Sequence, residues 1–269
     1  ITSQISGNCV NNKTGRRIRA LVPMHAFGHP SDLESLALVA KEFNLVLVED
    51  AAESLGSYRN EKHTGTFGLL GTLSFNGNKI ITTSGGGALI SNNGQWIEKA
   101  RFLSTQARDV APHYQHSHIG YNYRMSNVLA GIGRGQLEVL NDRVASRRNN
   151  FNKYKLLFTK FNSNGYNIKF QNEPIGYYSN RWLTCIIVDP STNKGLTREV
   201  IKQAMDIENI ETRPLWKPMH LQPIFKNSKN YLNGISDELF KNGLCLPSGS
   251  NLTEIDFNRI FNVLDLLFK

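Results

Sequence analysis

The chain has 269 residues, 40% of them hydrophobic and 20% charged, which is enough apolar material for one large core or two smaller ones. Its net charge of +9 is compatible with an anionic partner. The basic residues are scattered and are not interleaved with aromatic residues, however, so the composition argues against a nucleic-acid-binding groove.

The first third of the chain alternates strand and helix patterns. We expect a strand over residues 18–24, then an amphipathic helix with Ser31 as its N-cap and Glu34 completing a capping box. A continuous apolar strand over residues 45–48 follows and ends in two carboxylates. Because continuous hydrophobicity in a strand indicates burial on both faces, these elements predict a parallel sheet covered by helices.

The remaining elements predict a second, smaller domain. A strand at 88–90, a helix at 95–103 and a long helix from about 126 to beyond 148 complete the first domain, and glycines in the long helix predict close packing by another backbone. Afterwards we expect strands around 182–189 and 210–213, with helices at 197–207 and 253–268. The prediction is an α/β fold with a large domain at 1–148 and a small C-terminal α/β domain at 149–269.

Asp50 stands at the end of the apolar strand and has two possible roles. Ligands bind beyond the carboxyl ends of strands in open parallel sheets, so an acid there is well placed for function. The alternative is that Asp50 caps a following helix, with Glu53 completing a capping box.

Lys79 lies between two strand-like runs, after an Asn76-Gly77-Asn78 sequence that predicts a turn projecting the lysine, and before three consecutive glycines. In partly apolar surroundings the pKa of a lysine falls, and its neutral amine can condense with an aldehyde. Glycines nearby allow backbone to approach a flat ligand. The alternative is an ordinary solvated surface lysine.

Taken together, a lysine and an acid at strand ends of one sheet are what pyridoxal phosphate requires of a protein. The lysine binds the aldehyde, and the acid keeps the pyridine nitrogen protonated. Spacing alone supports this interpretation only weakly.

Several long segments resemble the DegT/DnrJ/EryC1/StrS family of sugar aminotransferases, and the resemblance extends from about Ala20 to the C-terminus. They are "VEDAAESLGS", "GTFGLLGTLSFNGNKIITTSGGGALI", "RFLSTQARDVAPHYQHSHIGYNYRMSN", "NRWLTCIIVD" and "ETRPLWKPMHLQPIF". Within the family the chain looks most like enzymes that aminate C4 of a UDP-linked 4-keto-6-deoxy-N-acetylhexosamine in bacillosamine, legionaminic acid and related surface-glycan pathways. The resemblance implies a fold-type-I pyridoxal phosphate transferase.

The resemblance also implies roles for individual residues. Lys79 matches the lysine that forms the internal aldimine with pyridoxal 5'-phosphate and moves the proton, and Asp50 matches the acid paired with the pyridine nitrogen. Ser74 matches a serine that hydrogen-bonds the cofactor phosphate. Asn122 matches an asparagine that reaches the phosphate in the partner subunit's site, which implies a homodimer with shared active sites. Glu53 stands where many relatives carry glutamine near the phenolic oxygen of the cofactor.

The implied reaction moves an amino group from L-glutamate to the keto sugar. Lys79 argues against the related sugar dehydratases, in which histidine stands at this position. A truncated, non-catalytic homologue that acts as a dimeric binding or structural protein is the alternative.

A basic and aromatic stretch, "RPLWKPMH", is the candidate substrate-binding segment. Arg213, Trp216, Lys217 and His220 suit a diphosphate and a uracil ring. The alternative is a proline-bounded connection whose tryptophan packs in the small domain. His25, at the end of the first predicted strand, is a further substrate-binding candidate.

Other site types are not expected. His113, His116 and His118 fit no standard zinc spacing, so we predict no metal site. The three cysteines are far apart in sequence and form no CxxC pair, which argues against a disulfide framework and suits a reducing compartment. Without an apolar run of ~20 residues or a signal-peptide pattern, a cytoplasmic protein is expected.

Relatives carry a further N-terminal segment, which supplies a phosphate-binding turn and an aromatic residue stacked on the cofactor. Neither is found ahead of Asp50, and the stretch "NNKTG" is interpreted as a surface turn. Either the sequence begins late in a longer product, or the protein is a truncated relative.

Overall fold

Short strands and helices alternate along the chain, and the computed structural model describes residues 2–5 and 7–269. The strands are β1 (Thr2–Ile5), β2 (Asn8–Asn11), β3 (Ala20–Leu21), β4 (Val46–Asp50), β5 (Tyr58–Arg59), β6 (Lys62–His63), β7 (Leu70–Ser74), β8 (Gly87–Ile90), β9 (Lys169–Phe170), β10 (Tyr177–Tyr178), β11 (Thr184–Ile187), β12 (Arg213–Pro214) and β13 (Gly243–Leu246). The α-helices are α1 (Leu33–Glu42), α2 (Gly94–Ser104), α3 (Asn127–Glu138), α4 (Leu140–Ser163), α5 (Arg198–Ile207), α6 (Ile235–Asn242) and α7 (Glu254–Leu267).

The chain forms two compact units. The first contains the chain up to Val144 together with Glu173–Trp182, and the second contains Ala145–Asn172 and Leu183–Lys269. The domain boundary expected at residue 148 stays a prediction. The α/β fold class predicted from the sequence is confirmed. In the described part of the chain, none of the helices is both long and apolar enough to cross a membrane.

The central sheet of the first unit has the strand order β3-β4-β7-β8. As predicted, β3, β4 and β7 are parallel, but β8 runs antiparallel to β7. A parallel connection needs a crossover, usually helical. Residues 75–86 contain no helix, so the chain returns directly and antiparallel.

Two small sheets that the sequence did not predict complete the first unit. One is the β1-β2 hairpin, in which the expected turn at "NNKTG" follows β2 and the Asn11 carboxamide accepts the N–H groups of Lys13 and Thr14. The other has the order β10-β5-β6. Its β5-β6 turn is Asn60-Glu61, and both residues have positive φ.

Helix α1 begins one residue later than predicted, with Asp32 rather than Ser31 as its N-cap. The Ser31 hydroxyl instead donates to the Met24 carbonyl, 3.1 Å away. The Asp32 carboxylate accepts from the Ser35 N–H and hydroxyl, which satisfies a free donor of the first turn. Glu34 forms an ion pair with Arg59 instead of a capping box.

The predicted long helix is interrupted at Val139, which separates α3 from α4. The expectation that its glycines receive another backbone is wrong for the described chain. A Cβ on Gly131 or Gly135 would meet nothing within 4 Å, and one on Gly133 would lie 3.0 Å from the side chain of Thr83.

The second unit is built on the antiparallel sheet β12-β13-β11-β9. Strand β13, which the sequence did not predict, is buried at every position. The strand expected at 210–213 is instead Arg213–Pro214. The core packs residues of α4, α5 and α7 against this sheet, and it is rich in aromatic side chains; its largest fully buried members are Tyr154, Phe158, Phe161, Phe257, Ile186, Ile201, Met205, Leu244, Leu246 and Leu264.

Candidate active site at the carboxyl edge of the first sheet

Three chain segments meet at the carboxyl edge of the first sheet, the edge where β4 and β7 end. Asp50 is the last residue of β4 and pairs in register with Thr72 of the parallel strand β7. Ser74 ends β7 and lies opposite Gly87, where β8 begins. The connection 75–86 therefore leaves and re-enters the sheet at this edge, and it carries Lys79.

The connection 75–86 is held in a compact form by its own backbone. The Lys79 N–H donates to the Asn76 carbonyl at 3.0 Å, so the turn predicted at Asn76-Gly77-Asn78 is present. The Phe75 N–H donates to the Gly86 carbonyl at 3.0 Å.

Two of the glycines after Lys79 are required by the geometry. Gly86 has φ +95, and a Cβ there would lie 2.7 Å from Cε of Met125. A Cβ on Gly87 would lie 2.4 Å from the Leu73 carbonyl oxygen. Gly86 has a positive φ, which residues with a side chain rarely adopt. Gly87 leaves room for the backbone of β7 to come close.

The Lys79 ammonium group lies between an acid and an aromatic ring. Its Nζ is 3.9 Å from Oε1 of Glu53 and 4.5 Å from the ring centroid of Trp182. The Lys79 side chain is only 14% exposed. An amine in this position is shielded from bulk water and held by a cation–π contact and a weak ion pair.

Glu53 joins this site to the loop after β3. Its Oε2 accepts from the Phe27 N–H at 2.7 Å, and Phe27 has φ +58. The helix that Asp50 and Glu53 were alternatively expected to cap is not present. Instead Asp50 Oδ1 accepts from the Ala52 N–H at 3.1 Å, which is an Asx turn, so the capping alternative is wrong.

Trp182 is the most important site residue that sequence reasoning missed. Its indole N–H donates to the Asn78 carbonyl at 2.8 Å, so it is bonded to the residue before Lys79. Its backbone N–H donates to Oδ1 of Asn180, whose Nδ2 donates to the carbonyls of Glu53 and Leu55. The sequence showed Trp182 only as the start of a strand, and no local pattern connects it to a lysine about a hundred residues earlier.

Gly28 lies directly against the side chain of Asn180. Its carbonyl accepts from the hydroxyls of Ser57 and Ser179 at 2.7 and 2.9 Å. A Cβ on Gly28, at φ +88, would lie 1.8 Å from Asn180 Oδ1. The loop after β3, Glu53 and Trp182 are thus tied together by buried polar groups.

His25 does not face the edge where a ligand was expected. It is fully buried, its Nδ1 accepts from the Ser31 N–H at 3.0 Å, and its Nε2 lies 3.1 Å from Oε2 of Glu49. Both ring nitrogens are engaged inside the fold, so the substrate-binding interpretation of His25 is corrected to a structural one.

Glu49, the neighbour of Asp50, was also missed. Its carboxylate accepts from the N–H groups of Gly65, Phe67 and Gly68 at 2.6–2.7 Å. Burial raises the pKa of Glu49, but the hydrogen bonds from His25, Gly68 and Gly65 outweigh it, so its pKa lies below the ordinary value.

Asn122 lies on the surface of the first unit. It forms an isolated bridge with Thr105, and it is flanked by Tyr121 and Tyr123, whose rings stack 5.0 Å apart. These residues and the following helix α3 contain no buried side chain. The phosphate-binding role expected of Asn122 in a partner's site stays a prediction.

The four residues of "RPLWKPMH" belong to the second unit. Arg213 is exposed and pairs with Glu211, and His220 Nε2 lies 2.8 Å from Oδ1 of Asp237. Lys217 is exposed and Trp216 is half-buried. Their expected binding of a diphosphate and a uracil ring stays a prediction.

The three histidines of the first unit's long loop have separate environments. His113, His116 and His118 are all exposed. His116 Nδ1 lies 2.9 Å from the Gln106 carbonyl, and His118 packs edge-on against Phe102.

The chain is similar in sequence to known proteins over nearly its whole length. EpsN of Bacillus subtilis (strain 168), named as a candidate pyridoxal phosphate-dependent aminotransferase, is 46% identical over 260 residues, which are 95% of this chain and 65% of that protein. GDP-perosamine synthase of Escherichia coli O157:H7 is 33% identical over 252 residues, which are 94% of this chain and 66% of that enzyme. The chain therefore spans about two thirds of the length of these relatives.

The fold is also that of a solved aminotransferase. TlmJ from Streptoalloteichus hindustanus superimposes with a TM-score of 0.83 at 26% identity, covering 94% of this chain and 66% of TlmJ. The family description that matches residues 2–265 is the DegT/DnrJ/EryC1/StrS aminotransferase family. With a match over nearly its whole length and two relatives above 30% identity, the chain belongs to the DegT/DnrJ/EryC1/StrS aminotransferase family.

Proposed function

We propose that this chain carries the catalytic lysine of a pyridoxal phosphate-dependent aminotransferase that acts on a nucleotide-linked keto sugar in the cytoplasm, for surface-glycan biosynthesis. The observation that carries the proposal is the position of Lys79. It stands on a tight connection at the carboxyl edge of a parallel sheet, enclosed by Glu53 and Trp182 and 14% exposed.

The residues present fit the cofactor. A planar pyridine ring needs open space beside the backbone, and Gly85 of the same connection borders such space, since a Cβ there would meet nothing within 4 Å. Asp50 would hold the ring nitrogen, Lys79 the aldehyde carbon and Ser74 the phosphate; Glu53 would lie toward the phenolic oxygen. Bound in this way, pyridoxal phosphate supplies an electron sink for carbanion chemistry.

Lys79 Nζ is the proposed proton carrier. As a neutral amine it has a lone pair that accepts a proton from a substrate carbon and returns it elsewhere. Trp182 keeps water away from one side of this amine, and its bond to the Asn78 carbonyl fixes the turn that presents it. The Glu53 carboxylate, 3.9 Å away, can pair with this nitrogen while it carries the proton between the two transfers.

The first test is a visible absorbance band on adding pyridoxal phosphate to the intact gene product. We expect the band in the wild type and its loss in Lys79→Ala, with Lys153→Ala as the control because Lys153 lies in the second unit. A folded full-length protein without the band would contradict the proposal and favour the non-catalytic homologue.

For the substrate we propose a UDP-linked 4-keto-6-deoxy-N-acetylhexosamine that is aminated at C4, with L-glutamate as donor. The resemblance to C4 aminotransferases supports this choice, while the E. coli relative is named for a GDP-linked sugar. Turnover of UDP- and GDP-linked keto sugars by the same preparation distinguishes the two. A preference for the GDP-linked sugar would overturn the UDP assignment and leave the aminotransferase proposal standing.

We propose that the active protein is a homodimer in which Asn122 completes the partner's site. The exposed face around Asn122 and α3 supports this: Tyr121, Tyr123, Val128 and Ile132 are each about half exposed or more. Exposed aromatic and aliphatic side chains grouped in one stretch of the chain are typical of an interface.

Mixing two inactive variants tests the shared site. Lys79→Ala and Asn122→Ala, each inactive alone, should regain up to about a quarter of wild-type activity when unfolded together and refolded, because some hybrid dimers contain one intact site. No regain, or a fully active Asn122→Ala monomer, would overturn the shared-site role.

A further inference from the structure

Two of the three cysteines, which are far apart in sequence, face each other in the second unit. Cys185 on β11 and Cys245 on β13 are directly opposite in the antiparallel register. Their Sγ atoms lie 3.8 Å apart, and the residues are 7% and 4% exposed. The fold therefore creates a dithiol pair that the cysteine spacing did not predict.

The backbone geometry suits a disulfide. Directly opposed residues of antiparallel strands have Cα atoms about 4.5–5.5 Å apart and side chains on the same face, and disulfides span about 4.4–6.8 Å between Cα atoms. With the sulfurs already in contact, a bond requires side-chain rotation rather than strand movement.

The dithiol pair is separate from the aromatic core. The neighbouring register pairs Thr184–Leu246 and Ile186–Leu244 point to the other face of the sheet, and Ile186, Leu244 and Leu246 belong to the core cluster. Because side chains alternate between faces, the two cysteines lie on the opposite face. Closing the bond leaves the packed core unchanged.

We propose that Cys185 and Cys245 form a reversible intramolecular disulfide when the protein meets a peroxide. One thiolate attacks a peroxide oxygen and breaks the O–O bond, which gives a sulfenic acid and hydroxide. The second thiolate displaces the sulfenic oxygen as hydroxide, and the S–S bond forms. Two thiols lose two electrons and two protons, and hydrogen peroxide becomes two waters; a dithiol reductant reverses the change by exchange.

Burial decides how the pair reacts. Buried thiols are slow to meet bulky oxidants, so a small peroxide is the suitable class of reagent. Once one sulfur is oxidised, its neighbour at 3.8 Å traps it before further oxidation. The product links the two central strands of the second unit and closes a long chain loop, which restricts the unfolded state.

Cys9 provides the matched control. It is 3% exposed, as buried as the pair, but it lies on β2 of the first unit opposite Gln4. It has the same chemistry without a thiol across the strand.

The experiment treats the intact protein with hydrogen peroxide, alkylates the remaining thiols under denaturing conditions, and maps unreduced tryptic peptides by mass spectrometry. We expect a Cys185–Cys245 cross-linked peptide two hydrogens lighter than the separate peptides, with Cys9 alkylated. The cross-link should disappear with dithiothreitol. Both cysteines remaining alkylated, oxidising separately to sulfonic acids, or cross-linking to Cys9 or to another molecule would overturn the proposal.

Thermal unfolding gives the second measurement. Peroxide should raise the Tm of the wild type and of Cys9→Ala by at least ~5 °C, because a long loop is closed. In Cys245→Ala the Tm should not rise. A rise in Cys245→Ala, or none in the wild type once the cross-link has formed, would contradict the proposed effect of the bond.

Discussion

The buried side chains of the two units differ in polarity. At the candidate site the first unit buries polar side chains, whereas the second unit surrounds its sheet with aromatic and aliphatic ones. The buried polar residues of the first unit are His25, Glu49, Ser54, Ser57, Thr64, Thr83, Ser179, Asn180 and Arg181. Hydrogen bonds are directional and costly to leave unmade, so they fix loops in one conformation, while apolar packing supplies stability with less positional control.

This difference in polarity follows from how much of the backbone in each unit lies in loops that need side-chain hydrogen bonds. The loops of the first unit contain little regular structure, so their backbone groups need side-chain partners such as Glu49, Glu53 and Asn180. In the second unit polar side chains such as Asn150 and Asn193 also bind loop backbone, but the sheet and its helices are packed mainly by aromatic and aliphatic side chains. The comparison predicts that apolar truncations will be most costly in the second unit, whereas polar or backbone changes will disturb the site.

The largest expected effect is from Phe158→Ala in the second core. Phe158 is fully buried and lies 5.4–5.6 Å, centroid to centroid, from the rings of Phe161, Phe170 and Phe268. We expect a loss of about 3–5 kcal/mol in the free energy of unfolding, measured by urea denaturation. Leu156→Ala on the exposed side of the same helix, at 77% exposure, should change it by less than about 0.5 kcal/mol.

Gly28→Ala should be the most disruptive small change in the first unit. The new Cβ would lie 1.8 Å from Asn180 Oδ1 at φ +88, so Asn180 has to move away from Trp182 and Glu53. Gly15→Ala has a similar φ of +67 but nothing within 4 Å, and should cost only about 1–2 kcal/mol from backbone strain. Equal losses for the two variants in urea denaturation would show that Asn180 is not held as described.

Glu49→Gln should destabilise the first unit by about 2–3 kcal/mol at pH 7, because an amide replaces an acceptor that faces four donors. The pKa of Glu49 is lowered by folding, so its stabilisation is fully present above the unfolded pKa and is lost as pH falls through the folded pKa. The difference between wild type and variant should therefore shrink below about pH 4.5. A difference that grows on acidification would reverse the assigned sign.

Trp182→Phe should have the smallest effect, about 1–2 kcal/mol, since an aromatic ring is kept while the bond to the Asn78 carbonyl and part of the buried indole volume are lost. Hydrogen exchange should locate the change at the Lys79 connection, with faster exchange of the Lys79 amide. Faster exchange throughout the first unit instead would assign Trp182 a general packing role.

The sequence predicted elements whose signals are local. The apolar run before Asp50 predicted a buried parallel strand, and the Asn-Gly-Asn turn predicted the presentation of Lys79; both are present. Helix α7, predicted over 253–268, runs over Glu254–Leu267 and has Thr253 as its N-cap.

The parts that the sequence could not predict depend on distant partners. Trp182 reaches the Lys79 turn, and Cys185 meets Cys245, only because the chain folds back over many residues. Ser31 does not cap α1, because its hydroxyl donates to the Met24 carbonyl instead. His25 was expected to bind substrate at the end of a strand, but its ring is buried and bonded to Glu49 and to the Ser31 N–H.

Mapping the lysine that holds pyridoxal phosphate is the most direct test of the proposed site. The intact protein is mixed with pyridoxal phosphate, reduced with borohydride to make the linkage permanent, and digested for mass spectrometry. We expect a phosphopyridoxyl group on Lys79, at close to one per chain. The label should be absent in Lys79→Ala and only reduced in Trp182→Ala. Labelling of another lysine in preference to Lys79, or no stoichiometric label in the folded protein, would contradict it.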